Sequence, residues 1–145
     1  MQTRLLIDDL FRLVHVLKQR MLHDLSNQGV SLAPMQMQGL KWISMHEWAT
    51  ANDMAKFFNR DKAQVTRLIQ NLIADDFVVK QPNPSDGRSQ LLALTDSGKA
   101  VIDLLREQEL AVMQELYGVL SEEDMQALSK LTKTLFEAVK PQCKA

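Results

Sequence analysis

Residues 59–101 read NRDKAQVTRLIQNLIADDFVVKQPNPSDGRSQLLALTDSGKAV, and the spacing of the apolar residues changes in the middle of this stretch. Up to about residue 75, apolar residues recur three and four positions apart, which is the period of an amphipathic helix. Beyond it, two short runs at residues 77–79 and 90–95 flank a loop rich in Pro, Asn, Asp and Gly, which predicts a β-hairpin. A hairpin this small is not stable alone in water, so we expect it to pack on helices.

A shorter helix precedes the long one. Thr50 is a capping-box residue that opens this helix, and Asn59 at its end tolerates the left-handed conformation of a tight turn. Asp61 then caps the long helix, from Lys62 to about residue 75. A short helix, a turn of about three residues and a longer helix form a helix-turn-helix pattern. With the hairpin that follows, the sequence predicts a winged-helix unit over residues 50–99.

The rest of the chain is predicted to be helical. Apolar positions recur at helical spacing over residues 4–25 and from Pro34, which suits the first turn of a helix, to about residue 46. A long helix is expected from about residue 95 to residue 117, and Ser121 caps a last helix that ends near residue 139. The fold class is therefore mostly α with a small β-hairpin wing.

The helices outside the winged-helix unit carry apolar stripes that this small unit cannot cover alone. We predict a single domain over residues 1–145, in which residues 1–30 and 100–145 form dimerisation helices. A two-fold symmetric DNA site would use such a homodimer. An intramolecular helical bundle is the alternative explanation for some of these positions.

Composition and charge exclude some classes of protein and leave others open. The 145 residues are 46% hydrophobic and 24% charged, which is ordinary for a globular protein. No apolar run approaches the roughly 20 residues that span a membrane, and a single cysteine, Cys143, allows no internal disulfide. We therefore expect a cytoplasmic protein with no membrane partner. The net charge of −1 gives no broad basic footprint, so any DNA binding must depend on where the cations lie.

The chain shows no constellation of catalytic residues. No Ser/His/Asp set, no Gly-rich phosphate loop and no carboxylate pair at catalytic spacing occurs, so we do not expect an enzyme or a cofactor. His15, His23 and His46 are dispersed, and the first two are too far apart for the usual pair of metal-binding histidines on one helix. We therefore predict no metal site.

The helix that begins at Lys62 has one apolar side and one polar side. Val65, Leu68, Ile69, Leu72 and Ile73 share the apolar side. On the other side, arginine can bind the acceptor edge of guanine, glutamine can bind adenine, and small apolar groups can contact the methyl group of thymine. A solvated helix face is the alternative, but the second helix of such a pair is the one that reads DNA. The predicted DNA-contacting residues are Lys62, Ala63, Gln64, Thr66, Arg67 and Gln70.

The hairpin loop supplies a further candidate for DNA binding. Arg88 is a long cation on a narrow tip, which suits the negative potential of the minor groove. Asp86, two residues earlier, can accept a hydrogen bond from the guanidinium and fix its direction. An exposed pair of this kind that contributes little to stability is the alternative.

Residues 59–101 resemble the core of the multiple-antibiotic-resistance regulator (MarR) family. The family pattern is a D-K-S-x-V-T-R-like recognition helix, a D-x-R wing and then L-T-x-x-G. The resemblance extends in helix order and length over nearly the whole chain. It implies a dimeric bacterial transcription regulator, usually a repressor, that binds double-stranded DNA and responds to small anionic aromatic compounds or oxidants. The matching residues are Asp61, Lys62, Val65, Thr66, Arg67, Asp86, Arg88, Leu94, Thr95 and Gly98.

Several positions depart from the family pattern. Gly87 stands where many relatives carry a second basic residue in the wing, and Asn83 stands where an acid is common. Asn59 replaces a glycine, and Ala33 replaces the usual hydroxyl residue that caps the second helix. The thin wing favours an alternative function, a winged-helix module that binds protein and has weak or lost DNA binding.

A ligand pocket is predicted at the junction between the dimer helices and the DNA-binding lobe. Met21, Met37 and Trp42 fall there, and methionine suits adaptable pockets because it fills irregular space. A small aromatic acid is the expected ligand. Core packing is the alternative explanation for the same three residues.

Overall fold

The computed structural model describes the backbone of residues 2–140 and the side chains of residues 5–140, so Cys143 lies outside the described residues. It has six helices and two strands in this part of the chain. In order along the chain they are α1 (Gln2–Asn27), α2 (Pro34–Ser44), α3 (Ala51–Phe58), α4 (Lys62–Ala74), β1 (Val78–Pro82), β2 (Gln90–Leu94), α5 (Asp96–Val119) and α6 (Glu122–Val139). The predicted fold class, mostly helical with a small hairpin, is confirmed.

The helix-turn-helix forms because its caps satisfy the backbone at each helix start. The Thr50 hydroxyl accepts a hydrogen bond from the Asp53 N–H at 3.2 Å at the start of α3. Asn59 follows α3 in the left-handed region, with φ of 49°. The Asp61 carboxylate then accepts from the Gln64 N–H at 2.8 Å at the start of α4. Each of these residues has the role that the sequence predicts.

The hairpin is an antiparallel pair in which Val78 lies opposite Leu94 and Pro82 lies opposite Gln90. The first strand extends three residues beyond the predicted run at residues 77–79. Its outer edge forms no ladder in the described structure, so Pro82 can end the strand although it lacks an N–H group. The inner strand is tied to the loop before α3, because the Leu92 N–H donates to the Ala49 carbonyl oxygen at 2.8 Å. This bond attaches the hairpin to the segment before α3, as expected for a hairpin that is not stable alone.

The chain divides into two compact units, residues 1–106 and residues 107–145. The first unit has a core of buried apolar side chains from the end of α1, from α2, α3 and α4, from both strands and from the start of α5. The domain bounds predicted from the sequence stay a prediction. The fully buried side chains of this core include Leu25, Leu40, Met54, Ile69, Leu72, Leu92 and Leu105.

Large parts of α1 and α6 carry exposed apolar side chains. In the first unit, the N-terminal part of α1 exposes apolar residues, and only its end, around Leu22 and Leu25, packs on the core. In the second unit, Val112 and Met125 are buried, while Leu128, Leu131 and Leu135 of α6 are exposed. The exposed apolar residues of α1 are Leu5, Leu6, Ile7, Leu10, Phe11, Leu13, Val14 and Val16.

No helix in the described part of the chain is long and apolar enough to cross a membrane.

Candidate nucleic-acid interface

Helix α4 presents one polar face to solvent. It is held in this orientation because Val65, Ile69 and Leu72 are buried in the core of the first unit. Ile73, which the sequence places on the apolar side, is 38% exposed and lies at the edge of that side. All six predicted DNA-contacting side chains are exposed: Lys62, Ala63, Gln64, Thr66, Arg67 and Gln70.

The end of α4 is fixed to the start of α2 by one glutamine. The Gln36 side chain donates to the Asp75 carboxylate at 3.0 Å, and Asp75 is the C-cap of α4. The same side chain accepts from the Ala33 N–H at 2.9 Å, which is the glutamine half of a capping box. Since alanine has no side-chain acceptor, the other half of that capping box is missing. Gln36 therefore caps α2 and connects the start of α2 to the end of α4.

The wing loop is ordered by side-chain bonds to its own backbone. The Asn83 amide donates to the Ser89 hydroxyl at 2.8 Å and accepts from the Ser85 N–H at 3.0 Å, so it joins the two ends of the loop. A carboxylate at this position could not donate the first bond. The asparagine that departs from the family pattern thus closes this loop.

The role expected for Asp86 needs a correction. Its carboxylate accepts from the backbone N–H of Arg88 at 3.0 Å, and not from the guanidinium. This is an Asx-type turn, in which the short acidic side chain bonds the backbone two residues later. Asp86 therefore fixes the path of the loop and leaves the exposed Arg88 side chain free to turn.

A groove separates the start of α4 from the wing, and we call it the basic groove. Its volume is about 320 Å³. Its walls carry three cations from three elements, namely Lys62 of α4, Lys80 of β1 and Arg88 of the wing loop. Lys80 is not among the residues predicted from the sequence, because the predicted strand ends at residue 79. The other groove-lining residues are Thr50, Ala51, Asn52, Val65, Thr66, Ser89, Gln90 and Leu92.

The base of the hairpin is fastened to α5. The Thr95 hydroxyl donates to the Asp76 carbonyl oxygen and accepts from the Gly98 N–H at 3.0 Å. The Thr95 N–H donates to the Phe77 carbonyl oxygen at 3.1 Å. The threonine and the glycine of the L-T-x-x-G pattern therefore connect the wing to the helix that follows it.

The three predicted ligand-binding residues lie in or against the core of the first unit. Met37 is 2% exposed and Trp42 is 4% exposed, and Met21 packs against the same core. The Trp42 ring stacks on His46, with ring centroids 4.6 Å apart, and its indole N–H has no hydrogen-bond partner within the described residues. Neither feature tests ligand binding, which stays a prediction.

The described residues contain no group of three or more His, Cys, Asp or Glu side chains that could hold a metal ion. A second cavity of about 340 Å³ lies between the start of α2 and α4. Met35, Phe58 and Leu68 form its apolar part, and Arg60 and Arg67 are its cations.

Comparison with known proteins identifies relatives of this chain. A model of the MarR family matches residues 32–90. The transcriptional regulator BilQ from Clostridioides difficile strain CD3 is 36% identical over 63 residues, which span 43% of each protein and hence less than half the length of that relative. The multiple antibiotic resistance protein MarR from Escherichia coli strain K12 is 30% identical over 129 residues, which span 84% of this chain and 87% of that protein.

Solved structures agree with the sequence relatives. A point mutant of MepR from S. aureus has a TM-score of 0.68 and 27% identity, and covers 90% of this chain and 97% of its own. Another point mutant of MepR, bound to an oligodeoxyribonucleotide, has a TM-score of 0.61 and 27% identity, and covers 91% of this chain and 97% of its own. The family consists of transcription regulators, which confirms the prediction that the chain is not an enzyme. With a relative aligned over most of both chains, this protein belongs to the MarR family.

Proposed function

We propose that this protein is a DNA-binding repressor that binds a pseudo-palindromic promoter site as a homodimer. Helix α4 of each protomer enters the major groove of one half-site, and the wing places Arg88 in the adjacent minor groove. The observation that carries this proposal is the exposed polar face of α4 beside a wing that presents an exposed arginine. DNA is the partner in the oligonucleotide-bound MepR structure named above, which supports the same partner here.

The chemistry of the α4 face supports base reading. Arg67 and Gln64 have the fork and amide groups that bind guanine and adenine edges in the major groove. The polar side chains of the face form no hydrogen bond or ion pair with other described residues, so they need not break such bonds when they bind DNA. A cytoplasmic location follows from a promoter as the target.

The exposed apolar side of α6 supports the homodimer. Leu128, Leu131 and Leu135 lie three and four positions apart, so they form one stripe along the helix. A contiguous apolar surface of this kind marks an interaction site in soluble proteins. A two-fold dimer places two α4 helices on half-sites that are about 34–36 Å apart along the DNA.

Gel-shift titrations over a range of salt concentrations test the proposal. The probe is the DNA upstream of the gene for this protein, together with duplexes that the protein selects from a random pool. We expect a specific complex whose affinity falls steeply with salt, because phosphate contacts release counterions. Failure to retain any duplex at low salt would reject DNA binding and favour a winged-helix module that binds protein.

We further propose that a small aromatic acid regulates this DNA binding by acting at Met21, Met37 and Trp42. A ligand can act only by favouring one separation of the α4 helices, and a full reversal of two populations needs about 10⁴-fold differential affinity. The aromatic surroundings of Trp42 support the proposal. The ring centroids of Phe57 and Phe58 lie 5.9 Å and 6.3 Å from the ring centroid of Trp42.

Tryptophan fluorescence tests ligand binding at this place. Trp48 is exposed and would add its own signal, so the measurement uses a Trp48→Phe background. We expect a substituted benzoate to quench Trp42 and to release DNA over the same concentration range. Quenching without release, or release without quenching across a panel of aromatic acids, would contradict regulation through Trp42.

A further inference from the structure

The path of the DNA backbone follows from the two contacts in the proposed function. In B-form DNA, one sugar–phosphate strand separates a major groove from the adjacent minor groove. If α4 lies in the major groove and the wing lies in the minor groove, that strand must pass between them. The basic groove is the space between the start of α4 and the wing.

We propose that the basic groove holds this sugar–phosphate strand and that Lys80 binds one of its phosphates. The inference rests on the proposed function and adds a contact that neither the sequence pattern nor the family resemblance assigns. It gives Lys80 a positioning role, since a phosphate contact carries no base information.

The hairpin register directs Lys80 toward the groove. Lys80 lies opposite Leu92 in the antiparallel pair, so the two side chains share one face of the hairpin. Leu92 is buried, so this is the face of the hairpin that packs on the helices of the first unit. Lys80 is nearer the tip than Val78, which is also buried on that face, and it is exposed. Its ammonium group therefore lies along the inner side of the wing.

The charge of the groove is positive and uncompensated within the described residues. Lys62, Lys80 and the guanidinium of Arg88 form no ion pair there, and no acidic residue lines the groove. The nearest carboxylates, those of Asp53, Asp61 and Asp86, accept hydrogen bonds from the backbone N–H groups of Thr50, Gln64 and Arg88, and none of them forms an ion pair with a cation of the groove. A chain with a net charge of −1 thus concentrates three cations on one concave surface. Because the three cations lie on three different elements, a DNA strand that runs along the groove can contact each of them in turn.

The polar groups of the groove suit a phosphodiester strand better than a small ligand. Asn52 and Thr66 add hydrogen-bond donors to the three cations, and lysine binds phosphate as a point charge. Such donors along a narrow channel bind the non-bridging oxygens of phosphates, which repeat along a strand.

The variant Lys80→Gln tests the inference on duplexes that the wild-type protein retains. We expect weaker binding by the same factor for every retained sequence, since the lost contact is to phosphate. The slope of log affinity against log salt should become smaller by about 0.9 for each bound protomer. The ratio of wild-type to variant affinity should therefore fall by about 3.5-fold per protomer between about 50 mM and about 200 mM salt.

Two further variants control for charge and for the fold. Lys80→Arg keeps a phosphate-binding cation and should retain the wild-type salt slope. Lys99→Gln removes the same charge from an exposed residue in the first turn of α5, at the opposite end of the hairpin from the wing tip, and should bind as the wild type does. Circular dichroism and thermal unfolding verify that each variant is folded.

Ethylation interference supplies a second test, which compares the wild-type protein with the folded Lys80→Gln variant. Ethylating a phosphate removes its charge, so wild-type binding should weaken when the modified phosphate lies between the bases contacted by α4 and the minor groove contacted by the wing. This interference should disappear in Lys80→Gln at one phosphate in each half-site. An unchanged salt slope in Lys80→Gln, or a loss of affinity that depends on sequence, would overturn the phosphate contact while DNA binding itself stands. A wild-type protein that binds no duplex would overturn the proposed function as well.

Discussion

Gly98 permits the closest backbone approach described for the glycines of this chain. A Cβ atom at this position would lie 2.1 Å from the Phe77 carbonyl oxygen, which is far inside van der Waals contact. The neighbouring atoms belong to the backbone, so they cannot turn away as a side chain would. The first turn of α5 can therefore pack on the base of the hairpin only if residue 98 has no side chain.

We predict that Gly98→Ala destabilises the protein. The backbone must shift to admit the methyl group, and such overpacking costs about 1–3 kcal/mol. Urea unfolding followed by circular dichroism measures the change in the free energy of unfolding.

Gly118→Ala is the matched control, since Gly118 lies in the same helix and a Cβ atom there would meet nothing within 4 Å. Gly118 is the next-to-last residue of this helix, so alanine there should raise the free energy of unfolding by no more than about 0.5–1 kcal/mol. Equal stability of Gly98→Ala and the wild type would show that α5 can move away from Phe77 at no cost.

Individual backbone conformations were predictable only where a local signal existed. Asn59 was expected in the left-handed region, because asparagine tolerates positive φ and stands between two capped helices, and its φ is 49°. Asp76 also has positive φ, at 61°. The sequence has two adjacent aspartates there, and nothing in it indicates which of them adopts the left-handed conformation. The choice depends on where α4 ends, and the bond from Gln36 to Asp75 helps to fix that end.

The orientation of α4 was predictable as an element, and the attachment of the wing was not. Burial along α4 follows the helical period, so the sequence alone indicates which face is polar. The hairpin is tied to Ala49, which is distant in sequence and carries no signal for pairing. The basic groove was missed for the same reason, since it exists only when α3, α4 and the hairpin are brought together.

The two DNA-contacting elements should respond differently to substitution. We predict that Arg67→Ala and Gln64→Ala change the preferred base at particular positions, because their side chains face the base edges of the major groove in the proposed complex. Each lost base contact should cost about 1–3 kcal/mol. Arg88→Ala should instead weaken binding across related sites, because the minor groove distinguishes bases poorly.

Competition binding with a set of duplexes that differ by single base pairs measures these effects. Asn71→Ala serves as a comparison, since Asn71 is exposed on the same side of α4 as Gln64 but two turns further from the N-terminal part of the helix that contacts the bases. Arg88→Ala with wild-type affinity for every duplex would remove the wing from the interface. A uniform loss in Arg67→Ala would assign Arg67 to the phosphates instead of the bases.

The whole chain leaves apolar surface uncovered in both compact units. The stripe on α6 and the exposed residues of α1 have no counterpart within the described part of their own units that buries them, which is unusual for a monomeric protein. Helical periodicity predicted these stripes, and the same periodicity is compatible with an intramolecular bundle. A single chain contains no signal that separates the two cases, because both need the same apolar spacing.

The oligomeric state is therefore the whole-molecule property to test, with Leu128→Glu and Leu135→Glu. These leucines are 42% and 54% exposed, so a carboxylate there does not enter the core of the protomer. We expect folded monomers, because burying an unpaired charge in an interface is costly. Size-exclusion chromatography with light scattering measures the mass, and circular dichroism verifies the helical content.

Lys130→Gln changes the charge by the same amount on the far side of α6 and should remain dimeric. Because one α4 helix reads only one half-site, the monomers should also bind the two-fold operator far more weakly. Variants that keep the dimer mass and full DNA affinity would place the interface elsewhere on the molecule.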